Sequence, residues 1–303
     1  MRACVWCGAP LEQSAVRQLG RIRCAACGAA TIDPWPTDEE LSSAYGAWYR
    51  PESGRRFGVL GDELLRRTRG SLAARLDAIA PPGPILDVGA GDGTLIDALA
   101  RRGRAATGLE RAAARKDLRH EPIEEMDGEW AAVVFWHSLE HLPAPGEAIR
   151  HAARLLAPGG VVVVAVPDGG SLQARAFGDR WLHLDRPRHL VHLTGRALTT
   201  GLERQGLRIE RVSAVRGGQI VIGWLDGLVG SLPGGLNLYQ ALRRPEARSV
   251  PLSRGRWAAS LAAAVVLLPV AGVAAVAEVA LRRSGTTYVE ARRVSPGEPA
   301  PRP

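Results

Sequence analysis

The sequence predicts an α/β protein built on a doubly wound, Rossmann-like sheet. Apolar, strand-like runs alternate with amphipathic helical stretches between residues 84 and 215, and such βαβ units build open parallel sheets. A glycine-rich turn, VGAGDGT, follows the first of these strands, at the edge where open α/β sheets bind ligands. A last short strand, TTYVEARR at 286–293, follows a long apolar segment.

The sequence predicts the following helices and strands, in chain order. Thr37 and Glu40 form a capping box for a helix over 38–49, and a second helix over 60–79 ends at a Pro-Pro-Gly stop. Beyond that stop, strands and helices alternate. The predicted strands cover 85–88, 105–110, 131–136, 161–168 and 207–215, and the predicted helices cover 94–103, 112–120, 145–160 and 194–206.

The pattern divides the chain into six segments. They are a zinc ribbon (1–33), a linker with N-terminal helices (34–83), the core (84–215), an apolar helical insertion (216–285), the final strand of the core (286–293) and a disordered tail (294–303). The tail is assigned from its composition, because a segment rich in proline and poor in apolar residues cannot build a core.

The composition limits the partners and the compartment. The basic residues, which give a net charge of +8, are almost all arginines scattered along the chain, so nucleic-acid binding is disfavoured. The N-terminus has no apolar run of a secretory signal. We therefore expect a cytoplasmic protein, in a reducing compartment where paired cysteines bind metal more often than they form disulfides.

The glycine turn indicates the ligand class. A Walker loop needs a lysine followed by Ser or Thr, and a dinucleotide fingerprint needs G-x-G-x-x-G. Here Gly89, Gly91 and Gly93 follow a G-x-G-x-G spacing, with Asp87 before the turn and Asp92 within it. Carboxylates repel a pyrophosphate but attract a sulfonium and an α-amino group. The turn therefore favours S-adenosylmethionine as cofactor.

The next predicted strand ends at Glu110, where a carboxylate accepts hydrogen bonds from ribose hydroxyls in dinucleotide sites. From 84 to 168 the chain resembles the class I methyltransferases, through DVGAGDGT, GLE, HSLEHL and LLAPGGVVVVAVPD in that order. The resemblance implies a seven-stranded sheet with one antiparallel strand near an edge. It also implies that Asp87, Gly89, Gly91 and Glu110 contact the cofactor.

His137, Glu140 and His141 follow the fourth predicted strand, beside the glycine turn in a doubly wound sheet. A histidine suits a general base for a hydroxyl acceptor. The segment also resembles the Glu-x-x-Glu-His segment of ubiquinone-pathway O-methyltransferases, in which acids and histidine hold a divalent ion. Three roles stay open: base or acceptor contact, metal ligands on one helical face, and structural support.

A second histidine cluster follows the fifth predicted strand. The loops after the fourth and fifth strands normally form the acceptor pocket in the family that the chain resembles. Imidazole, indole and guanidinium groups suit an anionic or polyhydroxyl acceptor. The alternative is a solvated loop whose Thr194 caps the next helix. The predicted acceptor contacts are Trp181, His183, Arg188, His189 and His192.

Two CxxC pairs, Cys4 with Cys7 and Cys24 with Cys27, predict the zinc ribbon. Each pair presents two thiolates, and the hairpin between the pairs brings all four to one ion. Four thiolates close a tetrahedral site, so the zinc is structural rather than catalytic. A redox or vestigial site is the alternative.

The apolar segment from Ala258 to Leu281 is long enough to span a bilayer. Its alanine content and central Pro269 oppose a simple span, and arginines at both ends favour two cytoplasmic ends. We therefore expect two proline-separated halves that form a re-entrant or interfacial hairpin at the inner face of the membrane. Packing on the core or on a second copy, and a true span, stay open.

The sequence thus predicts S-adenosylmethionine-dependent methyl transfer to a small-molecule or lipid-linked acceptor, at oxygen with a histidine as base. The acceptor, the methylated atom and the oligomeric state stay open. The alternative is a non-catalytic module of the same fold that binds a partner through the zinc ribbon or the apolar insertion. An NAD-dependent oxidoreductase is disfavoured by the glycine spacing.

Overall fold

The computed structural model describes residues 2–11, 17–46, 48–49, 57–111, 115–214 and 218–294. Its strands are β1 (Arg21–Arg23), β2 (Ala30–Ile32), β3 (Ile85–Val88), β4 (Ala106–Leu109), β5 (Trp130–Trp136), β6 (Leu156–Pro167), β7 (Val191–His192), β8 (Leu207–Ser213) and β9 (Thr286–Arg293). Its α-helices are α1 (Asp38–Ala44), α2 (Val59–Ile79), α3 (Thr94–Ala100), α4 (Pro145–Leu155), α5 (Leu172–Phe177), α6 (Gly195–Arg204), α7 (Gly218–Gly230), α8 (Leu238–Leu242) and α9 (Arg254–Ala280). The predicted tail, apart from Val294, lies outside the described residues.

Six strands form the central sheet, in the order β4-β3-β5-β6-β9-β8. β3 pairs in parallel with β4 and β5, and β5 pairs in parallel with β6. β9 runs antiparallel between β6 and β8. This topology confirms the predicted doubly wound α/β sheet with one antiparallel strand near an edge.

The seventh strand that the resemblance implies is not found among the described residues. Beyond β4 at the sheet edge, one parallel bridge joins Leu109 to Arg119. Residues 115–120, for which we predicted a helix, form turns and this bridge. The stretch RKDLRH offers one buried apolar side chain, Leu118, and therefore has no apolar run that a strand or a helix could bury.

Several helices are shorter than predicted: α1 ends at Ala44, α3 at Ala100 and α4 at Leu155. α4 ends at Leu155, and residues 156–160 pass directly into β6, where Leu156 pairs with Trp130. Pro158 explains the early end of α4, because proline lacks the N–H of a helix interior and its ring clashes with the preceding turn.

Side chains of the central strands alternate between two packed layers, as strand geometry requires. On one face, Phe135 and Val164 belong to a cluster with Ile149 of α4. On the other face, Val134 belongs to a cluster with Leu76 of α2. Burial of one such side chain stabilises the fold by about 1.5–3 kcal/mol, so both layers hold the carboxyl ends of the strands in place.

The N-terminal segment shares a sheet with the rest of the chain. β1 and β2 form a hairpin, and β7 adds an antiparallel third strand. Trp6 Nε1 donates to the carbonyl oxygen of Ala197 in α6 at 2.9 Å. The ring covers Gly201, where a Cβ would lie 2.1 Å from it. The domain boundary at residue 33 stays a prediction.

The predicted insertion between β8 and β9 is helical, but its predicted form is wrong. α9 continues through Pro269, so the proline does not divide it into two halves. Pro269 is on the exposed side of the helix, and the packing of α9 on α7 offsets the one hydrogen bond that proline removes. The hairpin partner of α9 is α7 instead, through a cluster that includes Leu225, Val229 and Ala271.

Among the described residues, α9 is the one helix that is long and apolar enough to cross a membrane, by length and composition alone. The most apolar window of α9 has a mean hydropathy of 2.3, and 17% of that window is buried. A helix in the core of a soluble protein would be mostly buried, and α9 is not.

Candidate active site

The turn after β3 requires glycine at three positions. Gly89, Gly91 and Gly93 have φ values of 81°, 68° and 74°, in the left-handed region that favours glycine. Gly89 also has no room for a side chain, because a Cβ there would lie 2.4 Å from the Cβ of Ser138. Ser138 Oγ donates to the carbonyl oxygen of Val88. The turn is therefore packed directly against the loop that follows β5.

Two acids fix the shape of the turn. Glu110, directly after β4, accepts a hydrogen bond from Gly91 N at its Oε2, at 2.9 Å. Asp92 Oδ1 accepts from Thr94 N at 3.1 Å and from Thr94 Oγ1 at 2.7 Å, and so caps the first turn of α3. We expected both acids to contact the cofactor; each also holds the backbone of the turn.

Asp87 is a buried acid at the end of β3. It is 3% exposed, and its Oδ1 has no hydrogen-bond partner among the described residues. Burial, opposed by the charge of Arg69, raises the pKa of Asp87 to about 7. A buried carboxylate without a partner fits a ligand that brings a positive charge or hydrogen-bond donors to the glycine turn.

A cavity of about 720 Å³ opens over this turn, a volume in the range of small-molecule sites. Three of the six predicted cofactor residues line it: Gly89, Gly91 and Asp92. The other three lie behind the lining: Asp87, Gly93 and Glu110.

The histidine segment after β5 does not form the helical face on which the metal alternative depended. It forms a 3-10 turn over Leu139–His141. His137 has a φ of 54°, a strained conformation for a residue with a Cβ, and its Nδ1 lies 3.6 Å from Glu140 Oε1. His137, Glu140 and His141 all line the cavity.

His141 is held in one orientation. Its Nδ1 lies 3.0 Å from the carbonyl oxygen of Arg188 and 2.9 Å from Tyr45 Oη. Because a carbonyl only accepts, we assign the proton of His141 to Nδ1, which leaves Nε2 as an acceptor. Burial lowers the pKa of His141 to about 4, so its ring is neutral near pH 7.

Glu140 is a buried anion, 2% exposed. Burial alone raises its pKa, but the electrostatic interactions with His137, 3.6 Å away, and with His141 and His189 outweigh burial and lower the pKa of Glu140 to about 2. Neither carboxylate oxygen has a hydrogen-bond partner among the described residues.

Glu140, His141 and His189 place their donor atoms within 4.8 Å of one another. The metal alternative that the sequence left open contained His137 in place of His189. A carboxylate with two imidazoles is a ligand set that transition metals accept. The metal role therefore stays one of the three alternatives, with a different third ligand.

The second histidine cluster lines the same cavity as His137, Glu140 and His141. Four of its five predicted members line the cavity wall: Trp181, His183, Arg188 and His189. The rings of His183 and His137 are stacked, with centroids 6.4 Å apart and planes at 14°. Burial lowers the pKa of His183 to about 3, so this ring is also neutral near pH 7.

The fifth member, His192, lies elsewhere. It belongs to β7, pairs with Ala30 and is 3% exposed. Its Nε2 donates to the carbonyl oxygen of Leu184 at 3.2 Å, and it is not among the lining residues of the cavity. Its position supports a structural role between the N-terminal sheet and the loop rather than the predicted acceptor contact.

Arg188 packs against aromatic rings that the sequence analysis did not predict to be near it. Its guanidinium carbon lies 4.9 Å from the ring centroid of Trp48 and 4.7 Å from that of Tyr49. Nη2 donates to Asp185 Oδ1 at 2.5 Å, whereas Nη1 is buried without a hydrogen-bond partner in the described structure. Arg243 also lies over Trp48, at 5.6 Å. The aromatic stretch YGAWY after α1 was the available signal.

The helical insertion forms another wall of the cavity, which the sequence did not indicate. Gln219 and Asp226 of α7 and Tyr239 of α8 line it. Asp226 Oδ1 accepts from Tyr239 N at 2.8 Å, and burial raises the pKa of Asp226 to about 6. The insertion is therefore part of the site rather than an appendage.

The four cysteines come together at the N-terminal hairpin. Cys4 Sγ lies 3.7 Å from Cys27 Sγ, and Cys7 Sγ lies 3.8 Å from Cys24 Sγ. All four sulfurs lie within 4.8 Å of one another. A tetrahedral site with Zn–S bonds of about 2.3 Å separates its sulfurs by about 3.8 Å, so the donor set fits zinc.

Comparison with known proteins agrees with this geometry. A family model described as "Methyltransferase domain" matches residues 60–212, half of the chain. A ubiquinone biosynthesis O-methyltransferase of Pseudomonas paraeruginosa is 33% identical over 99 residues, which cover 27% of this chain and 43% of that protein. Its counterpart in Bordetella avium is 29% identical over 146 residues, which cover 41% of this chain and 57% of that protein.

The matched segments thus span about half of the length of these relatives. A solved Galdieria sulphuraria protein with a proposed sarcosine dimethylglycine methyltransferase activity shares the fold, with a TM-score of 0.50 and 14% identity over 83% of this chain and 98% of that one. By its family match the chain belongs to the methyltransferase-domain family, and its fold is the Rossmann-like fold of that solved methyltransferase.

Proposed function

We propose that the protein transfers a methyl group from S-adenosylmethionine to an oxygen of a small-molecule or lipid-linked acceptor. One observation carries the proposal: the glycine turn, with the unpartnered acid Asp87 behind it, opens into the same cavity as His137 and Arg188. Cofactor groups and acceptor groups therefore face one space, as an in-line displacement requires.

The cofactor would be held by the turn. The backbone at Gly89 and Gly91 allows close approach, and Asp87 and Glu110 offer carboxylate oxygens for its donors. When bound, S-adenosylmethionine supplies an electrophilic methyl group. The chain itself binds, orients and excludes water from the reacting groups.

Of the two histidines predicted as base, the geometry favours His137. It lines the cavity, its side chain is 21% exposed, and its Nδ1 faces Glu140 Oε1 at 3.6 Å. A nearby anion stabilises the imidazolium that forms when His137 takes the hydroxyl proton. His141, with Nδ1 held by Arg188 O, is a positioning residue that fixes the loop carrying Arg188.

The acceptor carries an anionic group in this proposal. Arg188 is 8% exposed, and its buried Nη1 lacks a partner, so a carboxylate or phosphate of the acceptor would complete its hydrogen bonds. The names of the relatives, ubiquinone biosynthesis O-methyltransferases, support a small-molecule oxygen acceptor. The four cysteines hold a structural zinc ion in this proposal, on the sulfur distances given above.

The first test is calorimetric titration of the whole protein with S-adenosylhomocysteine, with NAD as the comparison. We expect micromolar binding of the first ligand alone. The variant Asp87→Asn should weaken it by about 10- to 100-fold, the value of a hydrogen bond to a charged group. Asp127→Asn, at an exposed position, is the matched control. Absence of S-adenosylhomocysteine binding overturns the proposal in favour of the non-catalytic module.

The base is tested with a prenylated dihydroxybenzoate as acceptor probe, because it carries both a hydroxyl and the carboxylate that the proposal assigns to Arg188. We expect His137→Ala to lower turnover about 10²- to 10⁴-fold, the usual contribution of general base catalysis, with unchanged affinity for S-adenosylhomocysteine. His151→Ala is the control, because His151 bonds to the carbonyl oxygen of Met126 outside the cavity. Full turnover in the His137 variant would remove this residue from the mechanism.

A further inference from the structure

One face of α9 presents a row of large apolar side chains to the outside. The row, here called the α9 stripe, is 73% exposed at Val265, 76% at Val266, 73% at Val273 and 70% at Val276. Soluble monomers rarely leave so continuous an apolar surface open. The stripe therefore needs an occupant.

The opposite face of α9 is fastened to the protein. Ala271 is buried in a cluster with Leu225 and Val229 of α7, and Ala275 is also buried. Glu278, the one acid of α9, is fully buried, and its Oε2 accepts from Gln173 Nε2 at 2.8 Å and from Trp224 Nε1 at 2.6 Å. The stripe is thus the fixed outer surface of a packed helix.

Both ends of α9 lead into segments that are bonded to the rest of the fold. Before it, Arg243 and Arg244 donate to the carbonyl oxygens of Trp48 and Phe57. After it, the carbonyl oxygen of Gly285 accepts from Asp168 N at 3.0 Å, and β9 enters the central sheet. A helix of this length is about 40 Å long, but with both ends held it cannot cross a bilayer.

The charges at the ends of the stripe are all positive. Arg254 and Arg256 lie at its start, Arg282 and Arg283 at its end, and all four are exposed. In a dimer formed through the stripe, parallel or antiparallel, these arginines would face arginines of the second copy and repel them. An anionic lipid surface attracts them instead.

We propose that α9 lies flat in the interface of an anionic lipid bilayer, with the stripe in the acyl boundary and the four arginines at the headgroups. This geometry is that of an interfacial amphipathic helix. Because α7 packs beneath α9 and also lines the cavity through Gln219 and Asp226, docking would set the acceptor pocket beside the lipid surface. This last point rests on the proposed function and names a lipid-linked acceptor.

The test is flotation of the whole protein with phosphatidylcholine vesicles, with and without phosphatidylglycerol. We expect binding that depends on phosphatidylglycerol and weakens with salt. The double variant Val266→Glu, Val273→Glu should weaken binding at least about tenfold. The triple variant Arg254→Gln, Arg282→Gln, Arg283→Gln should remove the preference for phosphatidylglycerol.

The matched control is Val59→Glu, Val212→Glu, at positions that are 71% and 54% exposed on α2 and β8. Equal binding of both double variants to vesicles overturns the proposal. So does a wild-type protein that ignores vesicles but sediments as a dimer, which the stripe variant converts to monomers. Calorimetry with S-adenosylhomocysteine, unchanged in every variant, keeps this result separate from that of the proposed function.

Discussion

Protonation of Asp87 makes the stability of the folded protein depend on pH. The folded protein raises the pKa of this acid to about 7, mainly through burial, whereas an unfolded chain leaves it near its ordinary value of about 3.9. Between those two values the folded state binds more protons than the unfolded state. Stability from this group is therefore present at low pH and is lost as pH rises towards about 7.

We expect the contribution of Asp87 to the free energy of unfolding of the ligand-free protein to fall between about pH 5 and about pH 7, by up to about 1.4 kcal/mol per pH unit. Asp87→Asn has no proton to lose, so the difference between wild type and variant isolates this contribution from the opposite slopes of buried His141 and His183. Denaturant titrations across this range measure it. An identical slope in the variant would show that another group is responsible.

At Gly89, the lack of room for a side chain can be tested separately from backbone strain. In Gly89→Ala the new Cβ would lie 2.4 Å from the Cβ of Ser138, whereas in Gly103→Ala it would have no neighbour within 4 Å. The two positions have similar backbone strain, because φ is 81° at Gly89 and 75° at Gly103. Strain should cost each variant about 1–2 kcal/mol. Only Gly89→Ala should also lose S-adenosylhomocysteine binding, and equal binding by both would contradict a tight turn.

At the residue scale, local patterns were sufficient for part of the site. The spacing of the glycines with Asp87 predicted a turn whose geometry fits a cofactor, since neighbours in sequence form it. The contact of Arg188 with Trp48 and Tyr49 could not be predicted, because only the tertiary fold brings these distant segments together.

At the scale of elements, apolar runs predicted strands well because the central sheet is buried on both faces. Predictions failed where a tertiary contact decided the outcome. Proline ends the helix before Pro158, as expected, yet α9 continues through Pro269 because its other face packs on α7. The segment at 115–120, with little apolar surface, forms neither helix nor strand.

The N-terminal hairpin is the element for which we predict metal dependence. The purified chain should carry about one zinc ion, and Cys24→Ser should lose it and lower the melting temperature, because the hairpin anchors Trp6 on α6. Ala25→Ser, an exposed neighbour, is the control. Native mass spectrometry and calorimetry give the two readouts, and a metal-free wild type of equal stability would refute the zinc site.

At the scale of the whole molecule, an ion pair joins the second helix to the last strand. Arg75 of α2 donates to both carboxylate oxygens of Glu290 in β9, at 2.8 and 2.6 Å, and Tyr288 Oη donates to Oε1 at 2.7 Å. Burial alone would raise the pKa of Glu290, but these donors hold it below its usual value. This group therefore contributes stability above the ordinary pKa of glutamate that is lost as pH falls.

Arg75→Ala leaves a buried carboxylate without its charged partner, so we expect a loss of about 2–3 kcal/mol in the free energy of unfolding. Arg66→Ala breaks an exposed pair with Glu63 and should cost less than about 1 kcal/mol. Chemical denaturation near neutral pH compares them. Equal losses would mean that Arg75 does not fasten β9 to the rest of the sheet.

The position of β9 has a consequence for biosynthesis. Val161 of β6 pairs with Arg292, so a ribosome must translate the whole insertion before β6 and β8 receive the strand that lies between them. Until then the nascent chain carries an open sheet edge and an apolar helix, both prone to aggregation. We expect chaperones or an early encounter with lipid to protect it until β9 has been made.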